Sequence, residues 1–414
     1  MATEAQTVRQ RVASERGAIL IQVGVAILAL SAFSMFIIDY GALWVSRHQA
    51  QNAADSGALA GAIALALDDF DDRSDTGPAK VAAQSFAKAN GVFGQSPDVQ
   101  MATDVRFYVD APTAFPASCV TNDCIRVDVY RNQARGNALP TFFGHLVGVN
   151  DQGTRAMAIA RAAAANATKC LKPWAVLDKW GESSGPYTSD STYDPLGMPP
   201  DTYTPPNGSN TGTSYTLADD LGRQVSLKVG DAQNSKETFG AGWFSPIDLG
   251  GTGGDVYRDN ISACADGIYA IGGTLSVENG NMVGPTKQGV DDLVALDPDA
   301  KWDAANKRVI DSCVGPPYTC SKPGYSASPR IVAVPVINTQ DAWDAVHSDS
   351  GGSQGAGNMT VKIVALLGFF VEGMGGTGGK DVVGYLATKP DLLVSNGGSV
   401  SPSAAFIKAV TLVR

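Results

Sequence analysis

The sequence predicts an α+β fold: a long N-terminal transmembrane helix, an antiparallel sheet against its outer part, and a β-rich extracytoplasmic domain. Three observations carry this. Gly17 to Ile38 is a run of 22 residues without a charge. Small residues then recur every fourth position as far as Ala66, which continues one helix to Leu67. Beyond that point the 46 Gly and 22 Pro of the chain favour turns and short strands over long helices.

The apolar run comes first. An uncharged stretch of 18 or more residues reads as a membrane-spanning helix. At about 1.5 Å per residue it reaches roughly 33 Å, enough for a hydrocarbon core of about 30 Å. A cleaved signal peptide also has a basic start, but its apolar core is only about 7–15 residues long. Arg9, Arg11 and Arg16 precede the run and Asp39 follows it. Positive charge stays on the cytoplasmic side, so residues 1–16 are expected to be a cytoplasmic tail and the bulk to lie outside, single-pass. The six Cys, even in number, independently suit an oxidising compartment. A net charge of −10 argues against nucleic acid, whose phosphates need clustered Lys and Arg. The three His (His48, His145, His347) lie far apart, so a His-rich zinc site is not expected, and nothing calls for a cofactor or a small-molecule substrate.

Past the span, Ala50, Ala54, Ala58, Ala62 and Ala66 share one helix face, with Gly57 and Gly61 alongside. Such a seam lets another backbone come close. Packing on the protein's own sheet is the favoured use, and packing against sister helices in an assembly is the other.

At this point the residues carry a resemblance. The order R-G-A, apolar span, D-Y-G, then QNAADSGALAGA (Gln51 to Ala62) resembles the N-terminal module of the TadE/TadG-type proteins of tight-adherence (Tad), or Flp, pilus assembly. The resemblance implies a membrane anchor of pilin-like character that works with other Tad/Flp assembly proteins at the cell envelope. Related minor pilins have a Glu near the start of the apolar helix, where this chain has Gln22. That departure implies an anchored accessory protein (Gly17 to Ile38 as anchor) instead of a stacked filament subunit.

Residues 39–165 are expected to form the helix extension and a pilin-like α+β unit. The acidic run Asp68 to Asp75 ends the long helix and lacks the alternating ligands and central Gly of an EF-hand loop. Pro78 suits the first position of a helix that runs to Asn90, with Val81, Phe86 and Ala89 inward. Strands are predicted at Val99–Val109, Ile125–Tyr130 and Thr154–Ala162, with a short amphipathic helix over Leu139–Gly148.

Residues 166–414 read as the β-rich domain. Strands are expected at Gln224–Val229, Arg330–Ile337, Val361–Val371, Val382–Ala387 and Ala405–Val413, and one helix near Pro285–Leu296. The Ser/Thr/Tyr/Pro/Gly-rich stretch to Ser214 is either a surface loop or an excursion pinned by its aromatic residues. GWFSPIDL, YRDNISAC and SPRIVAVPVIN are similar to stretches of longer TadG-like proteins, but the Asp-x-Ser-x-Ser metal motif that some of those carry is missing. Proximity suggests disulfides Cys119–Cys124 and Cys313–Cys320, leaving Cys170–Cys264; Cys264–Cys313 is an open alternative among the 15 connectivities that six Cys allow.

Three motifs invite chemistry. GESSG (Gly181 to Gly185) has the spelling of a nucleophile elbow, but Pro186 and the turn-rich sequence after it supply no helix. GMGGTGGK (Gly373 to Lys380) contains a G-x-G-x-x-G spacing but fails the P-loop pattern at Met374 and Asp381, sits between two strands and reads as a hairpin loop. Asp291, Asp292, Asp297, Asp299 and Asp303 cluster about one helix, where helix-end and surface roles are expected; Arg258 and Asp259 suggest a buried pair. The reading that follows is non-enzymatic: an anchored TadG-like protein supporting Flp/Tad pilus assembly or anchoring. A surface-exposed adhesin or binding module, or a membrane-anchored hydrolase, are its alternatives.

Overall fold

A computed structural model describes residues 2–67, 72–119, 121, 123–229, 239–278, 280–312, 327–347, 360–394 and 397–413. Helix α1 (Ala2–Leu67) is continuous through the apolar run and the seam, and starts ahead of Gly17. No Pro and no paired Gly interrupt it, so no kink is dictated. Helix α2 (Pro78–Ala89) opens on its Pro and lies against α1. A five-stranded sheet covers the same part of α1. Its strands are β1 (Val105–Phe107), β2 (Cys124–Arg131), β3 (Thr154–Ala164) and the C-terminal β11 (Lys389–Asp391) and β12 (Ile407–Val413), in the order β1-β2-β3-β12-β11. All neighbours are antiparallel except β11 and β12.

Small residues make this packing close. Ala50, Ala54, Ala58, Ala62 and Ala66 are all fully buried. They share a core with Ala156, Ala158, Ala160 and Ala162 of β3, whose period of two puts them on one face, and with Ile125, Val127 and Val129 of β2. Gly57 and Gly61 face α2: a Cβ on Gly57 would lie 2.8 Å from both the Ala83 carbonyl and the Ala87 Cβ. The inward face of α2 is therefore Ala79, Ala82, Ala83 and Ala87, while Val81 and Phe86 are half-buried and Ala89 is exposed. The expectation from bulk was misplaced because the partner is itself a stripe of Gly and Ala.

The β-rich part is a closed ring of six strands. They are β4 (Trp174–Leu177), β5 (Gln224–Val229), β6 (Trp243–Asp248), β8 (Ile331–Ile337), β9 (Thr360–Gly375) and β10 (Asp381–Ala387), ordered β9-β8-β4-β6-β5-β10 and closed by β10 on β9. Strand β7 (Thr274–Val277) bridges β6 and β9. The β4–β8 and β5–β6 pairs are parallel and the rest antiparallel. Helices α3 (Gly254–Ser262), α4 (Val283–Ala295) and α5 (Thr339–His347) decorate it. Val176, Phe244, Val334, Leu367, Phe369 and Leu386 belong to one buried cluster.

Several expectations change. Within the stretch 166–414, expected as the β-rich domain, β11 and β12 return to the first unit, where β12 pairs with β3. Val99–Val109 is not one strand: Asp104 accepts the Gln100 N–H at 2.8 Å, winding Met101–Asp104 into a helical turn before β1. Leu139–Gly148 gives a two-residue strand and a 3-10 turn (Gly144–Val147) in place of an amphipathic helix. Helices α3 and α5 and strands β4, β6 and β7 were not foreseen. Arg258 and Asp259 pair at 2.8 Å on the surface of α3, with the Asp side chain two-thirds exposed. The pinned-excursion alternative describes residues 181–214, since Trp180 packs on Tyr187 and Tyr193.

Helix α1 touches both parts. Its last turn enters a cluster of Leu67, Ile331, Phe370 and Ala387, with Ile63 and Trp302 beside it. The Leu67 carbonyl, left without an intrahelical donor at the helix end, accepts the Thr388 hydroxyl at 3.0 Å.

Candidate functional site

The helix that carries the apolar run is long and apolar enough to cross a membrane, and none of its most apolar stretch is covered by the rest of the chain. Leu20, Leu28, Leu30, Phe33 and Phe36 are each more than 60% exposed. A helix apolar all round is stable only inside a core or a bilayer, and here no core surrounds it. Gln22, inside this stretch, is exposed as well. From Ser46 onward the same helix passes into protein, and Ala50 is the first fully buried seam residue.

Asp39 sits at the change of environment. Its carboxylate accepts the backbone N–H groups of Phe142 (2.6 Å), Phe143 (3.1 Å) and Gly144 (2.7 Å). Its own carbonyl accepts the Gln152 side-chain amide at 3.3 Å. Loss of hydration would raise the carboxyl pKa, but the three backbone donors and nearby His145 hold it below the usual range. Gly144 is required where the chain folds back, since a Cβ there would lie 2.8 Å from the Val149 carbonyl. The loop closes through Thr141 Oγ1 donating to the Val149 carbonyl (2.7 Å) and the Val149 N–H donating to the Gly144 carbonyl (2.9 Å).

Residues 17–64 match the family model described as putative Flp pilus-assembly TadE/G-like. The N-terminal segment of this chain is TadE/G-like. The TadE/G-like segment spans the uncovered apolar run, Asp39 and most of the alanine seam, and ends one turn before the helix does. No curated protein and no solved structure matches this chain.

The remaining sequence candidates fall in separate places. Cys119–Cys124 and Cys170–Cys264 are disulfides; Cys313 and Cys320 lie outside the described residues, as does the start of the acidic run after Leu67. The first bridge packs with Ile159, Phe115 and Val413 on the sheet face away from α1. On that face Asp128, fully buried, accepts Arg106 (2.6 Å), Arg126 (2.8 Å) and Arg155 (2.8 Å). Burial works against its charge, but the three guanidinium groups win and hold its carboxyl at about 2.

GESSG is a turn. Gly181 bridges Thr202, the Ser183 N–H donates to Asp201 at 2.8 Å, and the next helical turn described is Leu217–Asp220. GMGGTGGK is the tip of the β9–β10 hairpin, where Gly375 pairs with Asp381. Of the acidic cluster, Asp297 is buried and accepts the hydroxyls of Ser312 (2.7 Å) and Ser328 (2.6 Å), while Asp291 pairs with Lys287 and Asp303 closes a turn on Asn306. Among the described residues no group of three His, Cys, Asp or Glu is arranged to hold a metal.

Among the buried ionisable groups that escaped the sequence reading are Asp178 and Lys172. Asp178, after β4, accepts Ser214 Oγ (2.6 Å), the Lys179 N–H (2.9 Å) and Tyr203 Oη (3.1 Å), yet complete burial outweighs these and pushes its pKa up to about 7. Lys172 donates to the carbonyls of Ala263 (2.5 Å) and Asn260 (3.3 Å) at the C-terminal end of α3; burial, then the Lys389 charge, lower its pKa to about 7. Both tie loops to the ring. The clamp at Asp39 was also missed, because its partners lie about a hundred residues away and only its position after the apolar run was informative.

Proposed function

We propose that this chain is a single-pass inner-membrane protein with a cytoplasmic N-terminus. Its extracytoplasmic head supports assembly or anchoring of a Flp/Tad pilus and carries no catalytic chemistry. The observation that carries the reading is the continuity of α1. One TadE/G-like helix is bare and apolar over Ile19–Ile38 and locked into a folded head from Ser46 onward. A bare apolar rod joined to a well-packed head needs a bilayer for its other half. The seam is saturated by the protein's own α2 and β3, which favours an anchored accessory protein over a subunit that stacks through those alanines. Gln22 in place of the Glu of related pilins points the same way. Against the adhesin alternative, Tyr193 and Tyr215 of the aromatic-rich stretch are buried and Tyr187 and Tyr203 half-buried, although Leu196 and Met198 between them are exposed.

Deletion of the gene with imaging of surface pili tests the function; normal pili and normal surface attachment in the deletion strain would refute it. Protease protection of the head in intact cells and its digestion in osmotically shocked cells test the orientation. A head cleaved in intact cells would move the protein to the cell surface.

A further inference from the structure

We propose that the loop of residues 141–149 is a second membrane contact, which seats the head on the outer lipid surface beside the emerging helix. The inference rests on the reading that Gly17–Ile38 crosses the bilayer. Its first support is height. Asp39 is the residue directly after the span, and its carboxylate holds Phe142, Phe143 and Gly144 by their backbone N–H groups. The loop therefore lies level with the end of the span. Its second support is what the loop presents there: Phe142 and Val149 are each about half exposed (49% and 51%). On α1, Tyr40 at this level and Trp44 about one turn further on are 48% and 53% exposed, and aromatic side chains of this kind concentrate at membrane–water interfaces.

The third support is backbone satisfaction. Polar backbone groups that approach hydrocarbon must find partners within the protein. A loop facing only water has no such need. Here the three N–H groups of Phe142 to Gly144 are taken by one carboxylate, and the Thr141 hydroxyl and the Val149 N–H close the loop internally. Phe142 also meets Phe93 edge-on, with ring centroids 6.1 Å apart, which fixes the direction of its ring. A lipid interface is thus the occupant that the level, the exposed side chains and the satisfied N–H groups of Phe142 to Gly144 favour together.

The test uses the full chain in phosphatidylcholine nanodiscs. A nitroxide on a ketone-bearing non-natural amino acid is placed singly at positions 30, 142, 149 and 198. Collision with oxygen, which partitions into lipid, is compared with collision with a water-soluble nickel chelate. Position 198 is fully exposed and serves as the aqueous reference. The expected result is lipid-like behaviour at 30 and a several-fold lower nickel accessibility at 142 and 149 than at 198. In the Asp39→Ala variant the label at 149 should move toward the aqueous value. Lipid-like behaviour at 30 with aqueous behaviour at 142 and 149 would overturn the proposal and leave the anchor intact. Aqueous behaviour at 30 would overturn the anchor and the proposal with it.

Discussion

The meeting of α1 and α2 gives a prediction whose sign depends on position along one helix. Gly57→Ala adds a single methyl group facing α2, at 2.8 Å from the Ala83 carbonyl oxygen and 2.8 Å from the Ala87 Cβ. Contacts of this type normally settle near 3.4–4 Å, so α2 must move by roughly half an ångström to one ångström, and a backbone carbonyl cannot rotate out of the way. Overpacking of a close-packed site costs about 1–3 kcal/mol. Replacing Gly by Ala inside a helix returns about 1 kcal/mol through backbone propensity. The net expectation for Gly57→Ala is a loss of up to about 2 kcal/mol. Gly41→Ala lies on the same helix with nothing within 4 Å of the added methyl, and only the propensity gain applies. Urea unfolding of the detergent-solubilised full chain, followed by tryptophan fluorescence, should lower the midpoint for Gly57→Ala and leave it equal or higher for Gly41→Ala. A rise for Gly57→Ala matching that for Gly41→Ala would refute the close packing of α1 on α2.

Other perturbations read out other parts. Asp128→Asn leaves three guanidinium groups around a neutral amide, and removing one partner of a buried ionic group costs about 3–5 kcal/mol; urea titration would measure it. Because the native Asp128 carboxyl is held at about 2, its contribution is complete above the unfolded value near 3.9 and drains away as pH falls through about 2. Asp178 runs oppositely. Its pKa is raised to about 7, so its contribution is fullest below about 3.9 and is lost as pH rises toward about 7; Asp178→Asn should flatten stability against pH across that window. Removing Cys170–Cys264 by paired Ser substitutions opens a loop of sequence separation 94 and should cost about 4 kcal/mol, measured as a drop in unfolding midpoint that reductant reproduces in the native chain.

The elements legible in the sequence are those whose side chains repeat. Alternation in Ile125–Tyr130 and Thr154–Ala162 marks β2 and β3, and Pro78 marks the start of α2. Strand β4, Trp174–Leu177, is buried at every position and has no alternation to read. Strand β6 is buried on both faces in the same way, apart from its last residue. The return of β12 to β3 is long-range, and Ile407–Val413 reads equally well as a strand of either sheet. In the site, the apolar run, Asp39 and the alanines are all visible in the sequence. The partners of Asp39 are backbone amides of a loop, and no residue type announces a backbone amide.

The end of α1 has a mechanical meaning. From Asp39 to Leu67 the helix rises about 42 Å at 1.5 Å per residue, clamped at the lower end by the 142–144 amides and at the upper end by Thr388. Force applied to the head therefore reaches the span along a stiff axle, and twist is transmitted with it. Inserting one residue between Ile38 and Asp39 would turn the head by about 100° relative to the span and lift it by about 1.5 Å. Inserting seven would restore its bearing nearly in full, about two turns higher. A partner that engages the head from a fixed direction in the membrane plane would then feel phase as well as distance, so activity that returns with a period of helical turns would identify α1 as a torsional coupling.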